Sequence, residues 1–365
     1  MRIAYDHQIF SAQRYGGVSR YFVQLASAIS RAKHSVEIVA PVYLNHHLRQ
    51  SEARHLVRCG AYVDRDFSRK TALMGRANAL LSPLAWMRVR ADIVHETYYS
   101  AHGFGKGRRR VLTVYDMIHE LYSEEFPTDD QTTARKRAAV ERADHIICIS
   151  HSTRDDLERL LGVPRERTTV IHLSHTPFTQ MLGPSPCRNA PYLLYVGPRR
   201  GYKNFTSLVH AYAESSLLRG ACEIVAFGGG PFQDHEMELL RSCGVESKVQ
   251  HATGDDVALA RHYRDALAFV YPSMYEGFGI PPLEAMDQDC PVVCSNASSI
   301  PEVVGNGALL FDPTSVTDLI AALERVVSDD ELRADLRLRG KNRLQTFSWA
   351  RCAQETAAVY QSTLA

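Results

Sequence analysis

Two glutamates, Glu276 and Glu284, flank a short segment that contains two glycines, two prolines and a phenylalanine. Seven residues separate them, and an apolar, strand-like run, LAFVYPSMY, comes directly before Glu276. Pro281 and Pro282 suit the first turn of a helix, because proline lacks the N–H group that this turn leaves unpaired. We therefore predict a helix that begins here, with Glu276 before it and Glu284 one turn inside it. Both carboxylates would then face one pocket.

The backbone at the start of this predicted helix is a second potential binding element. The N–H groups of Phe278, Gly279 and Ile280 would be unpaired and directed outward, where an anion or a sugar hydroxyl could accept from them. A bare pair of glutamates at this spacing is more commonly two solvated carboxylates. The complete string EGFGIPPLE is far more specific than the pair alone.

A cationic loop, VGPRRGYKNF, follows the apolar run YLLYVG. Arg199, Arg200 and Lys203 lie within this loop, and two or three cations at a strand end suit a diphosphate group. Arginine would supply a bidentate fork, and lysine would supply a point charge. A solvated basic loop is the alternative interpretation.

Two polar segments follow strand-like runs in the first half of the chain. In YGGVSRYF, Gly16 and Gly17 allow close approach of a ligand to the backbone, and Arg20 could reach a phosphate at the start of the following helix. In TVYDMIHELY, Asp116 and His119 could bind sugar hydroxyls or a reacting centre. The alternatives are an ordinary glycine turn, and a helix-capping aspartate with a surface histidine.

Short apolar runs alternate with helical patterns along the whole chain, which predicts parallel sheets covered by helices. Ligands of such proteins bind at the carboxyl ends of the strands, where the four segments above lie. The predicted strands are RIAY, VEIVAPV, DIVH, RVLTVYD, HIICIS and TVIHL in the first half, and YLLYVG, CEIVAFGG, LAFVYPS, PVVCSN and ALLF in the second.

The chain has 365 residues, which is too long for one typical domain, so two are expected. Segment 175–191 is rich in proline and turn-forming residues and is the predicted linker. We therefore predict an α/β fold with two Rossmann-like domains, residues 1–178 and 190–345, followed by a C-terminal helix within 346–365.

Composition excludes several classes of protein. The 42 basic and 41 acidic residues nearly balance, so global charge gives no sign of nucleic-acid binding. The eight cysteines form no C-x-x-C pair and are expected to be reduced thiols. The first residues do not resemble a signal peptide, and no run approaches the roughly 18 apolar residues of a membrane span. These observations predict a cytoplasmic protein, at most attached to the inner face of the membrane.

In the first half of the chain, residues 65–90 mix lysine and arginine with large apolar residues, and GKGRRR at 105–110 adds further cations. Such a surface suits anionic lipid headgroups and predicts weak binding to a membrane surface. The alternative is a core-packed helix pair with solvated arginines. Pro83 is expected to interrupt any single long helix in this region.

EGFGIPPLEA resembles the E-x7-E signature of retaining glycosyltransferases of family four, which have the GT-B fold. The resemblance continues through GGVSRYF, TVYDMIHE, VGPRRGYKN and SSIPEVVGNGALLFDP, and so covers nearly the whole chain. It implies two domains that face each other across a cleft, with a C-terminal helix that returns to the first domain. The first domain would bind the acceptor, and the donor would lie between the domains, mainly on the second.

By this resemblance, Glu276 would hydrogen-bond the donor sugar and Glu284 the ribose. The N–H groups of residues 278–280 match those that contact the sugar and the phosphates. Arg199 and Lys203 match the family's cationic pair on the diphosphate, which would stabilise the leaving group where a metal ion does so in other enzymes. No metal and no cofactor are therefore expected.

The first-domain motifs match less completely. Gly17 corresponds to the glycine of the family's first loop. Many relatives have His-Asp where this chain has Tyr115 and Asp116, so the active-site histidine of that loop is either absent or replaced by His119.

The implied activity is retaining transfer of a hexose from a nucleotide sugar, GDP-mannose or a related GDP-sugar, to a growing saccharide. The acceptor, which could be linked to polyprenyl diphosphate, would belong to bacterial O-antigen, lipopolysaccharide or exopolysaccharide synthesis. A nucleotide-sugar epimerase or hydrolase and a non-catalytic sugar-nucleotide-binding protein are the alternatives. A dehydrogenase is disfavoured, because FGGGP at 227–231 does not complete G-x-G-x-x-G.

Overall fold

The structure is a computed structural model that describes residues 1–58, 60–64, 70–178 and 190–365, with only the backbone of residues 70–72. Cys59, Cys187, the basic residues 65–69 and most of the predicted linker lie outside the described residues. The chain divides into two compact units. The first unit comprises Met1–Leu173 and Ser348–Ala365, and the second comprises Ser174–Phe347.

Parallel strands form the centre of the first unit. Their bounds are β1 (Arg2–Tyr5), β2 (Ser35–Val39), β3 (Val42–Tyr43), β4 (Val57–Arg58), β5 (Ala61–Tyr62), β6 (Ala91–Glu96), β7 (Gly107–Val114), β8 (His145–Cys148) and β9 (Thr168–Val170). Seven of them form one sheet in the order β4-β2-β1-β6-β7-β8-β9, and β3 pairs with β5.

The second unit has a six-stranded parallel sheet in the order β12-β11-β10-β13-β14-β15. Its strands are β10 (Tyr192–Val196), β11 (Glu223–Phe227), β12 (Val249–Ala252), β13 (Ala268–Tyr271), β14 (Val292–Ser295) and β15 (Leu309–Phe311). The predicted strands are confirmed, except that VEIVAPV divides into β2 and β3, which lie in different sheets, and the two-residue strands β4 and β5 were not predicted. The sequence VQHA of β12 was missed, because it lies at the sheet edge, is only partly buried and lacks a continuous apolar run.

Helices cover both sheets. In the first unit they are α1 (Gln8–Ala12), α2 (Gly17–Arg31), α3 (His46–Gln50), α4 (Lys70–Trp86), α5 (Ile118–Leu121), α6 (Thr132–Arg142), α7 (His151–Leu161) and α16 (Trp349–Leu364). In the second unit they are α8 (Phe205–Glu214), α9 (Ser216–Ala221), α10 (Asp234–Ser242), α11 (Asp256–Asp265), α12 (Ile280–Asp287), α13 (Ile300–Val304), α14 (Val316–Ser328) and α15 (Asp330–Leu344). No helix among these described residues is long and apolar enough to cross a bilayer.

In each sheet, successive strands are added first on one side of the unit's first strand and then on its other side. In the second unit the chain starts at β10, continues outward to β11 and β12, and then returns to β13 on the other side of β10. In the first unit, β2 and β4 lie on one side of β1, and the chain then returns to β6 on the other side of β1. Connections leave the two central strands in opposite directions, which opens a crevice at their carboxyl ends. Side chains at these strand ends are therefore the first candidates for chemistry.

The C-terminal helix α16 belongs to the first unit, as predicted. A buried polar network joins the helix to the sheet: Tyr360 Oη lies 2.6 Å from His95 Nδ1, and His95 Nε2 lies 2.8 Å from Thr113 Oγ1. Burial lowers the pKa of His95 to about 3, so the imidazole is neutral and can accept one of these bonds. The helix is thus positioned by hydrogen bonds as well as by apolar packing.

Helix α4 continues through Pro83, so the expectation that this proline interrupts the helix was wrong. Pro83 lies in the last turn on the exposed side of α4. A proline there removes one hydrogen bond, to the carbonyl of Ala79, and Ala79 is exposed to water that can replace the missing donor.

Candidate active site

Lys203 and Glu276 meet at the carboxyl ends of the two central strands of the second unit. Lys203 Nζ donates to Glu276 Oε1 at 2.6 Å, although the residues are 73 positions apart. Their side chains are only 16% and 9% exposed. Two of the predicted site residues are therefore brought together, in a partly desolvated position where a charge acts more strongly than in bulk water.

The backbone around Lys203 is fixed to neighbouring loops. Met274 N donates to Tyr202 O at 2.7 Å, which ties the lysine loop to the loop that carries Glu276. Asn204 adopts a left-handed conformation with φ of 58°, which asparagine tolerates better than most residues. Its Nδ2 donates to Pro313 O at 2.9 Å. Asn204 was not identified as a site residue, but its place after Lys203 explains its contribution.

Two serines hold the segment that contains Glu276. Ser298 Oγ accepts from the N–H of Glu276 at 2.8 Å and donates to its carbonyl at 2.9 Å. Ser299 Oγ lies 2.8 Å from the same carbonyl and 2.9 Å from that of Phe278. These contacts fix the backbone on both sides of the carboxylate, so its position is preorganised. Both serines fall within the SSIPEVV motif, whose positioning function only the contacts reveal.

Aromatic rings surround the Lys203–Glu276 pair. The ammonium of Lys203 is 5.3 Å from the centroid of the Tyr202 ring and 5.8 Å from that of Tyr271. Burial first, and then the charge and hydrogen bond of Glu276, raise the pKa of Tyr271 well above its ordinary value. Tyr271 is therefore a neutral phenol that donates to the carboxylate. The pair is surrounded by groups that stabilise both charges.

The predicted helix start after Glu276 is confirmed, since α12 begins at Ile280 with the two prolines in its first turn. Gly279 precedes it with φ of 104°, a conformation that favours glycine. Phe278 is buried. Glu284 lies one turn inside the helix, where its Oε2 accepts from the hydroxyl of the buried Tyr263 at 3.5 Å. The ribose contact of Glu284 stays a prediction.

Arg199 makes an internal ion pair. Its Nε and Nη2 donate to the two carboxylate oxygens of Glu236 at 2.7 and 3.1 Å, and Nη1 donates to Gly228 O at 3.0 Å. Nη2 also reaches the carbonyls of Gly230 and Pro231, and the side chain is only 2% exposed. Burial would raise the pKa of Glu236, but Arg199 outweighs it and holds that pKa below its ordinary value. The diphosphate contact of Arg199 stays a prediction.

In the first unit, Asp116 lies after β7 and its Oδ1 accepts from Ile118 N, two residues on, at 3.1 Å, while Met117 is the capping residue of α5. Lys136 of α6 is completely buried beneath this segment. Its Nζ donates to Asp116 O at 2.8 Å and to Glu120 Oε2 at 2.7 Å. Sequence reasoning missed Lys136, because a lysine in a helical pattern normally indicates a solvated face.

His119 stacks on Phe126, with 4.0 Å between ring centroids, and its Nε2 lies 3.9 Å from Asp130 Oδ2. Burial lowers the pKa of His119, and the nearby Lys136 adds to this effect, although Asp116 and Asp130 oppose it. The imidazole is therefore neutral at pH 7. Whether it replaces the family histidine stays a prediction.

Gly16 and Gly17 lie at the start of α2, with Gly16 as the capping residue and Gly17 as the first helical residue. A Cβ on Gly16 would come within 2.2 Å of Gln13 Oε1, so the flexible Gln13 side chain lies directly against this glycine. Arg20 is half-buried one turn later. These placements agree with a close-approach loop, and a ligand for it stays a prediction.

A buried carboxylate at the carboxyl end of β1 was missed. Asp6 Oδ1 accepts from Thr97 Oγ1 at 2.5 Å, and Asp6 Oδ2 accepts from Gln8 Nε2 at 2.8 Å. Asp6 follows β1 and Thr97 follows β6, the two central strands of the first sheet. Burial raises the pKa of Asp6 in spite of these hydrogen bonds. The signal was available, since Asp6 directly follows a predicted strand in the same way as Asp116.

Comparison with known families assigns each unit. The family model described as Glycosyltransferase Family 4 matches residues 15–173, and the model described as Glycosyl transferases group 1 matches residues 186–343. The chain belongs to the glycosyltransferases that these two family models describe. The first match lies in the first unit and the second in the second unit, so each domain of the glycosyltransferase has a parallel sheet of its own.

Individual relatives agree with this assignment. The glycosyltransferase is 28% identical to O-antigen chain mannosyltransferase B of Escherichia coli, over 94% of this chain and 96% of that protein. It is 26% identical to O-antigen chain mannosyltransferase RfbU of Salmonella typhimurium, over 60% of this chain and 61% of that protein. The structure of HepE of Anabaena in complex with UDP-glucose superimposes on this chain with a TM-score of 0.71 at 16% sequence identity. The superposition includes 99% of this chain and 100% of the HepE chain. The predicted GT-B α/β fold is confirmed.

Replacing Lys136 with methionine is expected to destabilise the glycosyltransferase by about 3 kcal/mol, because Glu120 would become a buried carboxylate without its cation. Urea unfolding would measure this loss. Arg137→Met provides a matched control, since Arg137 is the next residue on α6 and is exposed. Equal stability of the two variants would contradict a structural role for the buried ammonium.

Proposed function

We propose that this glycosyltransferase moves a mannosyl group from GDP-mannose, or a hexose from a related GDP-sugar, to a growing saccharide in bacterial polysaccharide or lipopolysaccharide synthesis. The observation that carries the proposal is the Lys203–Glu276 pair at the carboxyl ends of β10 and β13, within the group 1 domain. The names of the O-antigen mannosyltransferases support mannose and a polysaccharide product.

In the proposed reaction, Glu276 accepts from a hydroxyl of the donor sugar and Lys203 lies beside the diphosphate. When the bond between the anomeric carbon and the diphosphate oxygen breaks, its electron pair leaves with the oxygen. About one additional negative charge then develops on the nucleoside diphosphate. A fixed ammonium stabilises this charge where it forms, and it needs no reorganisation at that moment.

The proposed stereochemical course is retention. The acceptor hydroxyl attacks the anomeric carbon on the face from which the diphosphate departs, through an ion pair of oxocarbenium character. Its proton passes to the departing phosphate oxygen, so no protein nucleophile is required. The first domain would hold the acceptor, with Asp116 and His119 as candidates to contact its hydroxyl groups.

A transfer assay tests the proposal. Purified protein is incubated with GDP-mannose, GDP-fucose, UDP-glucose or dTDP-rhamnose, each with and without a mannose-containing oligosaccharide acceptor. We expect acceptor-dependent release of GDP and a product one hexose longer, in which the transferred sugar keeps the anomeric configuration that it had in the donor. Sugar release without an acceptor would indicate a hydrolase instead, and binding without turnover would indicate a non-catalytic protein.

Transfer is also expected to proceed in EDTA, because Lys203 supplies the positive charge on the leaving group. The initial rate in chelator should stay within about twofold of the untreated rate, a difference of less than about 0.5 kcal/mol in activation free energy. A parallel reaction with added Mg²⁺ or Mn²⁺ is the control. Loss of activity in EDTA that either ion restores would contradict metal-independent catalysis.

A further inference from the structure

Helix α4 presents an apolar stripe to solvent. Nine large apolar side chains are exposed among the residues that the structure describes, and five of them lie between positions 73 and 87. Leu80 and Met87 are each 78% exposed. Leu73, Leu80 and Leu84 are separated by seven and four positions, so they lie along one side of the helix, and Met87 directly follows its last residue, Trp86.

The opposite side of α4 is buried and partly polar. Asn78 Nδ2 donates to Ser11 Oγ and to Val42 O, each at 2.8 Å, and Asn78 Oδ1 accepts from Val42 N at 2.9 Å. Ser82 Oγ lies 3.2 Å from His7 Nδ1. These hydrogen bonds set the rotation of the helix about its axis. The leucines therefore cannot turn inward without leaving buried polar groups unpaired.

Cations border the apolar stripe. Arg76 lies on the same side of α4, between Leu73 and Leu80, and Arg88 and Arg90 follow the helix. No acidic residue occurs from position 70 to 91. Arg76, Arg88, Arg90, Lys106 and Arg108 are exposed, and Arg109 is exposed as well but pairs with Asp144.

The packing of the fold brings Lys106 and Arg108 to the end of α4. Ala91 pairs with Gly107 in the parallel sheet, so Arg90 and Lys106 precede adjacent strands at the same level. Gly105 lies against the Trp86 ring so closely that a Cβ would come within 2.1 Å of it. The loop before β7 is therefore packed against the last turn of the helix. The apolar stripe and the cations form one surface, which we call the α4 surface.

We propose that the α4 surface docks the protein on an anionic lipid bilayer. The leucines and Met87 would enter the boundary between headgroups and acyl chains, and the cations would contact the lipid phosphates. Self-association through this surface is disfavoured, because a symmetric contact would place five cations opposite five others. That docking would bring the active site to a lipid-linked acceptor rests on the proposed function, but the binding to the bilayer does not.

Sedimentation with vesicles tests the proposal on the full chain. Wild-type protein should pellet with vesicles of phosphatidylglycerol and phosphatidylcholine at low salt, and much less with pure phosphatidylcholine or at high salt. Leu80→Ser, Leu84→Ser and Met87→Ser combined should lower the partition coefficient at least about tenfold. Arg88→Ser, Arg90→Ser and Arg108→Ser combined should remove the preference for anionic vesicles.

Matched controls test whether the effect is specific to the α4 surface or follows the loss of any exposed leucine or arginine. Leu217→Ser with Leu338→Ser removes exposed leucines of the second unit, and Arg159→Ser with Arg241→Ser removes exposed arginines elsewhere. Both should pellet like the wild type. Transfer to a soluble acceptor should be the same in all variants, so failure of docking and failure of the proposed activity remain distinguishable.

Three results would overturn the proposal. The first is no pelleting with anionic vesicles at low salt. The second is unchanged pelleting of both α4-surface variants. The third is a dimer of the wild-type protein, by sedimentation equilibrium, that the leucine and methionine substitutions dissociate, since a second copy of the chain would then be the occupant of the surface.

Discussion

Replacing Glu276 with alanine is expected to lower the kcat of sugar transfer at least about a hundredfold, equivalent to about 3 kcal/mol of transition-state stabilisation. Two serines hold the backbone of Glu276, and Lys203 holds its carboxylate, so the position of the carboxylate is fixed before the donor binds. Its loss would also release the lysine that we place beside the leaving group. Initial-rate kinetics with the donor identified by the transfer assay would measure the effect.

The fold should survive this substitution. Lys203 would lose its carboxylate, but its ammonium remains partly accessible to water, and the backbone contacts of Ser298 and Ser299 do not require the Glu276 side chain. Glu276→Gln keeps the shape of the side chain and tests the charge alone. Glu238→Ala, at an exposed position of α10, controls for removal of any carboxylate from this unit. An alanine variant that keeps more than a tenth of wild-type activity would show that Glu276 is not part of the active site.

The two cations predicted to bind diphosphate should respond differently to replacement by alanine. Lys203→Ala should lower kcat about a hundredfold, since it removes a cation from the leaving group. Its loss of stability should be smaller than that of Arg199→Ala, because the Tyr271 hydroxyl would still donate to Glu276. Arg199→Ala should destabilise the protein by about 3 kcal/mol, because it leaves Glu236 buried without its partner. Three backbone carbonyls around residues 228–231 would lose their donor as well.

Combined measurements of unfolding and kinetics separate these two outcomes. The double variant Arg199→Ala with Glu236→Gln should recover part of the lost stability, since the uncompensated charge is gone. Arg200→Ala is the matched control, as an exposed neighbour in the same loop, and should change both quantities least. A fully stable Arg199→Ala protein with no transfer activity would instead support direct contact of Arg199 with the diphosphate.

Local patterns in the sequence were sufficient for the elements that carry the active site. Runs such as YLLYV and AFVY are buried along most of their length, because strands of a parallel sheet are covered on both faces and need no polar alternation. The two prolines after Glu276 marked the start of α12, since each restricts its own backbone and lacks a donor. These signals involve only a few neighbouring residues, so they can be recognised in the sequence without knowledge of the tertiary structure.

Charge pairing depended on the tertiary structure. Arg199, Arg200 and Lys203 are alike in the sequence, yet Arg199 bonds to Glu236 and Lys203 to Glu276. Those partners are 37 and 73 positions away, and no local pattern specifies which cation meets which carboxylate. The order of the strands decides it, because the return of the chain from β12 to β13 places the Glu276 loop beside the end of β10.

Burial of polar groups and exposure of apolar ones were likewise set by packing. Lys136 lies on a helix in which nearly half of the residues are charged, but the contacts with Asp116 and Glu120 compensate for its burial. By type, Leu80 and Leu84 could belong to a core or to a membrane-binding surface, and the hydrogen bonds of Asn78 to Ser11 and of Ser82 to His7 fix the opposite side of α4 inward. Residue types and spacing alone determined most of the strands, the start of α12 and the family motifs. Only the tertiary structure decided which charges are paired and which face of a helix meets water, since both depend on partners that are distant in the chain.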